Sequence, residues 1–266
     1  MNNKRRMNLL IGLFFATLMI MACSLAGFGT VRGSGNVVEE TRTVNGVTGV
    51  ELATLGNLTI ELGDKESFRI EAEDNLMEYL ETDMLAGTLR IKTQAGISLS
   101  PTQPVNYYLT VKSLEDISIS SSGDIQAPDL EADRFSITIS SSGDLVMGNL
   151  DADELAVRIS SSGDVTMGEL NADTLEVDIS SSGNLTISGG YVETQNITIS
   201  SSGNYTAEDL ESDEADVRLS SNGSATIWVQ ERLEASLSSS GDLRYRGDPS
   251  VDTNTSSSGD VIQIGE

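Results

Sequence analysis

Histidine is absent from the sequence, and cysteine occurs only once, as Cys23. Histidine is the side chain that most often acts as a general acid or base, so catalysis without it would depend on carboxylates. A single cysteine allows no internal disulfide. Aromatic residues make up 5% of the chain, with one tryptophan. These absences weigh against a histidine-dependent enzyme, and no motif predicts a cofactor.

Positive charge is also scarce, because 16 basic residues accompany 41 acidic ones, for a formal net charge of −25. Removal of the residues before Cys23 would take away three basic residues and no acidic one, and the net charge would become −28. Nucleic acid is therefore excluded as an expected partner, since binding to a polyanion requires clusters of lysine and arginine. A strongly acidic surface fits a solvated extracytoplasmic protein or one that meets divalent cations.

The first 22 residues have the pattern of an export signal. Basic residues at 4–6 precede an apolar run, MNLLIGLFFATLMIMA, that stops at Cys23. The preceding Ile20-Met21-Ala22 resembles the lipobox of bacterial lipoproteins, which implies cleavage before Cys23, acylation of that residue and attachment to a membrane. An uncleaved membrane anchor and an ordinary signal peptide are the alternatives, although about 16 apolar residues are few for a membrane span. Small residues in SLAGFGTVRGS predict a flexible tether over 23–34.

One short phrase recurs along the rest of the chain as ISSSGDLVM, ISSSGDVTM and ISSSGNLTI. Its glycine is repeated at five intervals of twenty residues and then two of eighteen, which indicates stacked structural units. The positions are Gly123, Gly143, Gly163, Gly183, Gly203, Gly223, Gly241 and Gly259.

The repeat unit reads as three short strands joined by three corners. In LAVRISSSGDVTMGELNADT, residues 155–174, five apolar side chains alternate with polar ones, and the alternation shifts after Gly168 and again before Leu175. Such a unit is one coil of a parallel β-helix, in which each strand pairs with its equivalents about 4.8 Å above and below. Arg158 is then expected between Thr138 and Asp178 of adjacent coils.

The Ser-Ser-Ser-Gly-Asp segment is expected to form one corner. The middle serine of the three, such as Ser161, shares the parity of the apolar residues and is predicted to point inward or into the corner. Glycine leaves room for the bend and permits a positive φ, and the Asp, Asn or Ser that follows tolerates turns.

A single domain over 35–266 is predicted, with an N-terminal cap and irregular coils at 35–110 and regular coils at 111–266. Within the cap, Asn75 and the following LMEYLETDML predict a short capped helix, and TLRIKT predicts a strand. A cap shields the strand edges that a first coil would expose. The sequence shows no distinct C-terminal cap, so an edge is available there for a partner or for end-to-end self-association.

The order GVELATLGNLTIELGDKESFRIEAEDNLMEYLETDMLAGTLRIKT, then ISLSPTQPVNYYLTVKSLEDISISSSGD, then repeated SSSGD or SSSGN resembles the head GIN domain family of putative autotransporter adhesins. The resemblance runs from about residue 37 to the end of the chain. It implies an all-β, right-handed parallel β-helix in an exported bacterial protein, often a lipoprotein. The chain writes Ser-Ser-Ser-Gly where the family usually has Ser-Gly-Ser-Gly, and Thr54-Leu55-Gly56-Asn57 is a weakened first copy. No set of binding residues comes with the family.

Two alternatives to a non-catalytic binding module remain open. A β-helical enzyme acting on envelope polysaccharides needs carboxylates that converge in a cleft, but the coils have no insertions that would build one. A calcium-stabilised module would use the ladder Asp124, Asp144 and Asp164, whose charges repel. That ladder continues as asparagine and serine, which favours a role in turn geometry.

A ligand-binding residue is suggested only by the aromatic side chains near the last coils. Trp228 is predicted at an outward corner equivalent to Gly168, near Tyr245, where a ring could stack on a sugar or a peptide. Packing under a neighbouring corner is the commoner role of such a ring. The sequence as a whole predicts a lipid-anchored, non-catalytic module of the bacterial cell envelope with a binding or structural role at the surface, and adhesion to a glycan or a protein is the favoured use.

Overall fold

A computed structural model describes residues 29–256 and 258–265 of the chain. The predicted export signal and Cys23 lie outside the described residues, so lipid attachment stays a prediction. Among the residues described, no helix is long and apolar enough to cross a membrane.

Residues from Asp116 onward form the regular coils of a parallel β-solenoid of about seven turns, with about 20 residues per coil. Every strand pairs in parallel with its equivalent in the next coil, as in Leu155 with Leu175 and Leu175 with Gln195. The parallel β-helix expected from the sequence is confirmed. Its strands are β10 (Asp116–Ile119), β11 (Asp124–Ala127), β12 (Leu130–Ile139), β13 (Leu145–Met147), β14 (Leu150–Ile159), β15 (Val165–Ile179), β16 (Leu185–Ile199), β17 (Tyr205–Leu219), β18 (Ala225–Leu237), β19 (Leu243–Arg246), β20 (Ser250–Thr255) and β21 (Val261–Gly265).

Alternating apolar side chains fill the interior of each coil. In β15 the buried positions alternate from Val165 to Met167, shift to Leu170 and shift again to Leu175. From β15 to β18 both shifts are bends inside one continuous strand, whereas in other coils the first shift separates β11 from β12, β13 from β14 and β19 from β20. On the outside, Arg158 lies between Thr138 and Asp178 as predicted, with its Nε 3.7 Å from the carboxylate of Asp178.

The corner glycines are required by space and not by backbone conformation. None of them has a positive φ, so that part of the expectation is wrong. A Cβ added to Gly163 would lie 2.1 Å from the carbonyl oxygen of Gly143, and the other regular coils repeat this close approach. The amide of Gly163 also donates to the carbonyl of the half-buried Ser141 at 3.1 Å. Glycine therefore lets successive corners stack in contact.

The coils shorten from twenty residues to eighteen between β17 and β18. Ala225 still pairs with Tyr205, but Trp228 pairs with Glu211 and Arg232 with Glu214, after two register shifts. Trp228 is therefore equivalent to Asn171 and not to Gly168, so the position expected from the sequence is wrong. Counting in steps of twenty fails here because the deletion falls before Trp228.

The N-terminal cap is built from strands that do not stack in chain order. β3 and β4 form the first coil beneath β10 and β11, and β7 and β9 then pair in parallel with their other side. The antiparallel strands β6, β5 and β2 close this end. The strands are β1 (Gly29–Arg32), β2 (Val37–Arg42), β3 (Gly49–Ala53), β4 (Asn57–Leu62), β5 (Ser67–Glu73), β6 (Leu80–Leu85), β7 (Thr88–Thr93), β8 (Ile97–Ser100) and β9 (Asn106–Val111).

The helix predicted from Asn75 onward is largely wrong. Only α1 (Asp74–Met77) is helical, and the chain from Leu80 to Leu85 is the strand β6. β6 pairs antiparallel with β7 through a tight turn, at which Ala86 and Gly87 have φ values of 50° and 89°. Cross-strand pairing overrides the helical propensity of this segment.

The tether predicted over 23–34 is fixed to the domain from Gly29 onward. β1 pairs in parallel with β8, and the loop after it is held by Glu73 and its neighbours. The buried carboxylate of Glu73 accepts hydrogen bonds from the amides of Gly35 and Thr102, at 2.6 and 2.8 Å, and from the hydroxyl of Thr102 at 2.5 Å. Asn75 reinforces this clasp, because its Oδ1 accepts from the amide of Ser34 at 2.9 Å.

Candidate binding surfaces

The residues after the corner glycines form a ladder of hydrogen bonds along the solenoid. The amide of Asp144 donates to Oδ1 of Asp124 at 2.9 Å, and the amide of Asp164 donates to Oδ1 of Asp144 at 2.8 Å. Asn184 continues the ladder, since its amide and its Nδ2 donate to Oδ1 of Asp164 at 2.8 and 2.9 Å. Asn204 donates to Asn184 in the same way. The position therefore requires an acceptor oxygen, which aspartate and asparagine both supply.

This arrangement explains why the ladder needs no uniform charge. Each Oδ1 accepts from the backbone amide of the next coil, whether it belongs to a carboxylate or to an amide side chain. Among the described residues, no group of three or more aspartate, glutamate, histidine or cysteine side chains could hold a metal ion. Calcium at Asp124, Asp144 and Asp164 stays an untested alternative.

A shallow groove with a volume of about 720 Å³ runs across consecutive coils at the bend after Leu130. Its floor consists of the small inward side chains Ala132, Ala152 and Ala172, and exposed carboxylates stand along its sides. Lys112 is the one basic side chain among its lining residues. The groove carboxylates are Glu131, Asp133, Asp151, Asp153, Asp173 and Glu193.

At one end of the groove the exposed ring of Tyr191 is oriented by a neighbour. Its hydroxyl donates to Oδ2 of Asp213 at 2.8 Å. This hydrogen bond, together with desolvation and the nearby charges of Asp213, Glu193 and Glu211, raises the pKa of Tyr191 to about 12. The tyrosine is therefore a neutral hydrogen-bonding group at physiological pH, and the residue is 41% exposed.

One carboxyl outside the groove, that of Asp116, has a pKa above its usual value. Partial burial raises the pKa of Asp116, the nearby charge of Glu51 raises it further, and a hydrogen bond with Ser136 opposes the change. A raised pKa alone defines no catalytic site, because a glycosidase needs two carboxyl groups on opposite sides of a bound sugar.

Neither Trp228 nor Tyr245, the two predicted ligand-binding residues, presents a fully exposed ring on which a ligand could stack. Trp228 is half-buried, and the guanidinium carbon of Arg246 lies 4.7 Å from its ring centre. Arg246 is itself held by Asp209, with Nη1 2.8 Å from Oδ1. The Nε1 of Trp228 is buried without a hydrogen-bond partner. Tyr245 is half-buried against the core. Packing against Arg246 thus occupies one face of the tryptophan, and ligand binding by Trp228 and Tyr245 stays a prediction.

Buried polar residues were not identified from the sequence. Inside the solenoid, Tyr205, Gln195 and Ser212 form a hydrogen-bonded chain that ends on the carbonyl of Trp228. The sequence does contain one sign of a buried polar residue, because glutamine replaces leucine at an inward position in the stack Leu155, Leu175, Gln195. The chain of bonds lies where the coils shorten, so it is a structural element and no open site.

These features define a parallel β-solenoid with stacked, exposed side-chain ladders and a shallow acidic groove. The family described as "Putative auto-transporter adhesin, head GIN domain" matches residues 46–168 and 147–249, together more than half of the chain. The chain belongs to this family, as the resemblance in its sequence predicted. No curated protein matches it.

Solved structures share the fold at low sequence identity. One, described as a putative lipid binding protein from Parabacteroides distasonis, has a TM-score of 0.82 and 22% identity, and the match covers 88% of this chain and 99% of that one. A putative adhesin from Parabacteroides merdae has a TM-score of 0.81 and 20% identity, with 89% and 99% covered. A putative adhesin from P. distasonis has a TM-score of 0.78 and 20% identity, with 88% and 100% covered. These likenesses establish the solenoid architecture.

Proposed function

We propose that the chain is a lipid-anchored module of the bacterial cell envelope that adheres to a glycan or protein ligand and has no catalytic activity. The observation that carries the proposal is the repetition of exposed side chains along coils that contain no inserted loop. From Leu130 to Leu219, paired residues in adjacent coils are always twenty positions apart. The register shifts only between β17 and β18. An extended ligand would meet equivalent groups at steps of about 4.8 Å.

Such repetition favours binding by many weak contacts. Each contact adds little by itself, but linked contacts combine because the later ones form at a high effective concentration. Membership in a family described as adhesins supports this use of the surface. Lipid attachment at Cys23 would place several copies on one membrane and would add a second level of multivalency.

The proposed anchor would hold the domain close to its membrane. Gly29, the first described residue, is six positions after Cys23, and six extended residues span at most about 22 Å. β1 and the Glu73 clasp fix the chain from Gly29 onward. The connection between lipid and domain would therefore end at Gly29, and not at residue 34 as the predicted tether does. The N-terminal cap would therefore be the end nearest to the lipid.

An enzyme acting on polysaccharides is the second candidate, and the half-buried carboxyl of Asp116 is the group whose substitution tests it. A screen of acidic and neutral polysaccharides discriminates the two. New reducing or unsaturated ends that disappear in Asp116→Asn would overturn the binding proposal. Unchanged polysaccharides would agree with it.

The direct experiment is binding of the purified full chain to an array of glycans and matrix proteins. Two triple variants, each of which removes three negative charges, locate the binding contact. The groove variant carries Asp133→Asn, Asp153→Asn and Asp173→Asn, and the control carries Glu176→Gln, Asp216→Asn and Glu234→Gln on another row of the solenoid. Binding to a defined ligand that one triple variant weakens and the other preserves would support a surface ladder as the site. Absence of binding to every glycan and protein would count against adhesion.

A further inference from the structure

The last coil ends in two strands whose outer edges have no partner among the described residues. β20 pairs only with β18, and β21 pairs only with β19. An unpaired edge presents a row of backbone amides and carbonyls that can pair with another strand. The solenoid therefore offers two adjacent pairing edges, one on each side of the corner at Gly259.

These two edges lack the charges with which proteins usually protect exposed strands. From 249 to 266 the only charged side chains are those of Asp252, Asp260 and Glu266, and β21 (VIQIG) itself has none. The N-terminal end is different, since its outermost strands carry Glu39, Glu40 and Arg42 on β2 and Glu81 and Asp83 on β6. Charged side chains discourage edge-to-edge pairing. The last coil has no comparable protection.

The open end also exposes apolar side chains. Val251 pairs with the buried Leu233, so it occupies an inward position, yet it is 42% exposed. Ile262 and Ile264 on β21 are 39% and 45% exposed. A further layer of strands would cover the inward Val251, at roughly 25 cal/mol per Å² of apolar area removed from water.

We propose that this end binds a second copy of the same chain, tail to tail. A two-fold axis through the corner at Gly259 would place β20 of each copy against β21 of the other. Rotation about that axis reverses the strand direction, so both pairs would be antiparallel, and the six-residue and five-residue strands match in length. Both edges of both copies would be satisfied at once.

Charge favours this arrangement over the others. A chain with a net charge of −25 repels its own copies, and contact through its least charged coil minimises that repulsion. Pairing of β20 with β21 sets Asp252 against an uncharged strand, whereas pairing of β20 with β20 would bring two Asp252 side chains together. Contact with the N-terminal end would oppose Asp252 to the acids of β2 or β6. Salt should therefore strengthen the dimer.

Two substitutions test the edge without depending on the rest of the fold. Val251→Lys adds a charge at a position that is 42% exposed in the monomer, where the lysine ammonium can reach water. Thr253→Pro removes an amide. The amide of Ser256 donates to Leu237 in the coil beneath, and since backbone groups alternate along a strand, the amide of Thr253 faces the free edge. Val146→Lys is the matched control, at a position 51% exposed on the side of the solenoid.

Sedimentation of the full chain in density-matched detergent, over about a hundredfold range of concentration, measures the association. We expect a monomer–dimer equilibrium that salt strengthens, that Val251→Lys and Thr253→Pro weaken at least about tenfold, and that Val146→Lys leaves unchanged. Circular dichroism and the melting temperature establish that each variant is folded. A monomer at all concentrations, an open-ended series of oligomers, or equal weakening by Val146→Lys would overturn the proposal.

Cross-linking tests the geometry independently. In the Cys23→Ser chain, Ser258→Cys lies at the proposed axis, and Ser142→Cys occupies the same corner position several coils away. Rapid formation of a disulfide-linked dimer by Ser258→Cys, and not by Ser142→Cys, is expected. Equal rates for the two would refute tail-to-tail pairing. Because neither measurement uses a glycan or protein ligand, its failure would leave the adhesion proposal standing.

Discussion

The hydroxyl of Tyr205 donates a hydrogen bond to Oε1 of Gln195 at 2.8 Å in the interior of the solenoid, where both side chains are buried. Nε2 of Gln195 donates in turn to Oγ of Ser212 at 2.9 Å. Ser212 then donates to the carbonyl of Trp228 at 2.9 Å. This chain of bonds crosses the interior where the coil length changes from twenty to eighteen residues, and it connects the three coils involved.

We expect Tyr205→Phe to destabilise the protein by about 1 to 3 kcal/mol, because it leaves Oε1 of Gln195 buried without a donor. Gln195→Leu should have a similar effect, since it removes the partner of the Tyr205 hydroxyl. The double variant should lose less than the sum of the two, because an apolar pair leaves neither of these groups unsatisfied. Urea unfolding of the four proteins measures this coupling. Additive losses would show that the two residues do not act together.

Stacking of corner glycines gives a second prediction. In Gly163→Ala the new methyl group would lie 2.1 Å from the carbonyl of Gly143, so we expect a loss of about 1 to 3 kcal/mol as the corner shifts. Gly189→Ala is the control, since its Cβ would meet nothing closer than 3.3 Å and its φ is not positive. Comparison of urea midpoints is the measurement. Equal stability of the two variants would contradict the steric explanation.

The regular coils could be predicted from the sequence because the same physical requirement recurs in each of them. A buried Leu155 or Val157 fits against its own equivalent one coil away, so period, inward positions and the register of Arg158 all follow from repetition. The corner glycines were predicted for the right place and partly for the wrong reason. Glycine is needed there because a side chain would collide with the corner of the adjacent coil, and not because the backbone has a positive φ.

The cap could not be predicted in this way because its strands are ordered by contacts distant in the sequence. β7 stacks on β3 although some forty residues separate Val50 from its partner Leu89. Nothing in the sequence distinguishes Glu73 from an exposed glutamate, because the loop at Gly35 that covers it is distant in the sequence. Binding residues are equally hidden, because exposed positions of the repeat are constrained by solvation and strand propensity whether or not a ligand meets them.

The hydrogen-bonded ladder after the corner glycines predicts a tolerance for asparagine. Asp164→Asn keeps an acceptor for Asn184, whereas Asp164→Ala removes the acceptor of two hydrogen bonds and should cost about 1 kcal/mol. Thermal unfolding measures both. Asp124→Asn combined with Asp144→Asn and Asp164→Asn should leave the melting temperature equal or higher, since it removes repulsion between stacked carboxylates.

The same triple variant separates the calcium alternative. If the ladder acts only through its oxygen acceptors, neither added calcium nor a chelator will shift the melting temperature of either protein. Stabilisation by calcium that the triple variant abolishes would instead establish a metal role, because a ligand bound to the native state raises its stability.

The Glu73 clasp makes the N-terminal cap sensitive to acid. Burial raises the pKa of Glu73, but hydrogen bonds from the hydroxyl and amide of Thr102 and from the amides of Gly35 and Gln103 lower it more, so the net pKa lies below its usual value of 4.5. A carboxyl with a lowered pKa in the folded state stabilises the fold above its unfolded pKa. That contribution is lost as the pH falls through the folded pKa.

We therefore expect hydrogen exchange at the amides of Gly35 and Thr102 to accelerate, relative to the core strands, when the pH falls below about 4.5. Glu73→Gln should give the faster exchange already at neutral pH, because the amide group replaces an acceptor oxygen with a donor. Glu61→Gln, on the exposed side of β4, is the control. Unchanged protection in Glu73→Gln would show that β1 and β8 hold the loop without the clasp.

Lipid attachment predicts that Cys23→Ser abolishes palmitate labelling and releases the protein from the membrane fraction, since no other residue of the chain can accept the thioether-linked diacylglycerol. Ser24→Ala, at the adjacent position, should keep both properties. Mass spectrometry of the N-terminal peptide separates the alternatives. Acylated Cys23 as the first residue supports the lipoprotein, an unmodified N-terminus near Cys23 indicates an ordinary signal peptide, and retention of residues 1–22 indicates an uncleaved anchor. Continued labelling of Cys23→Ser would contradict the prediction.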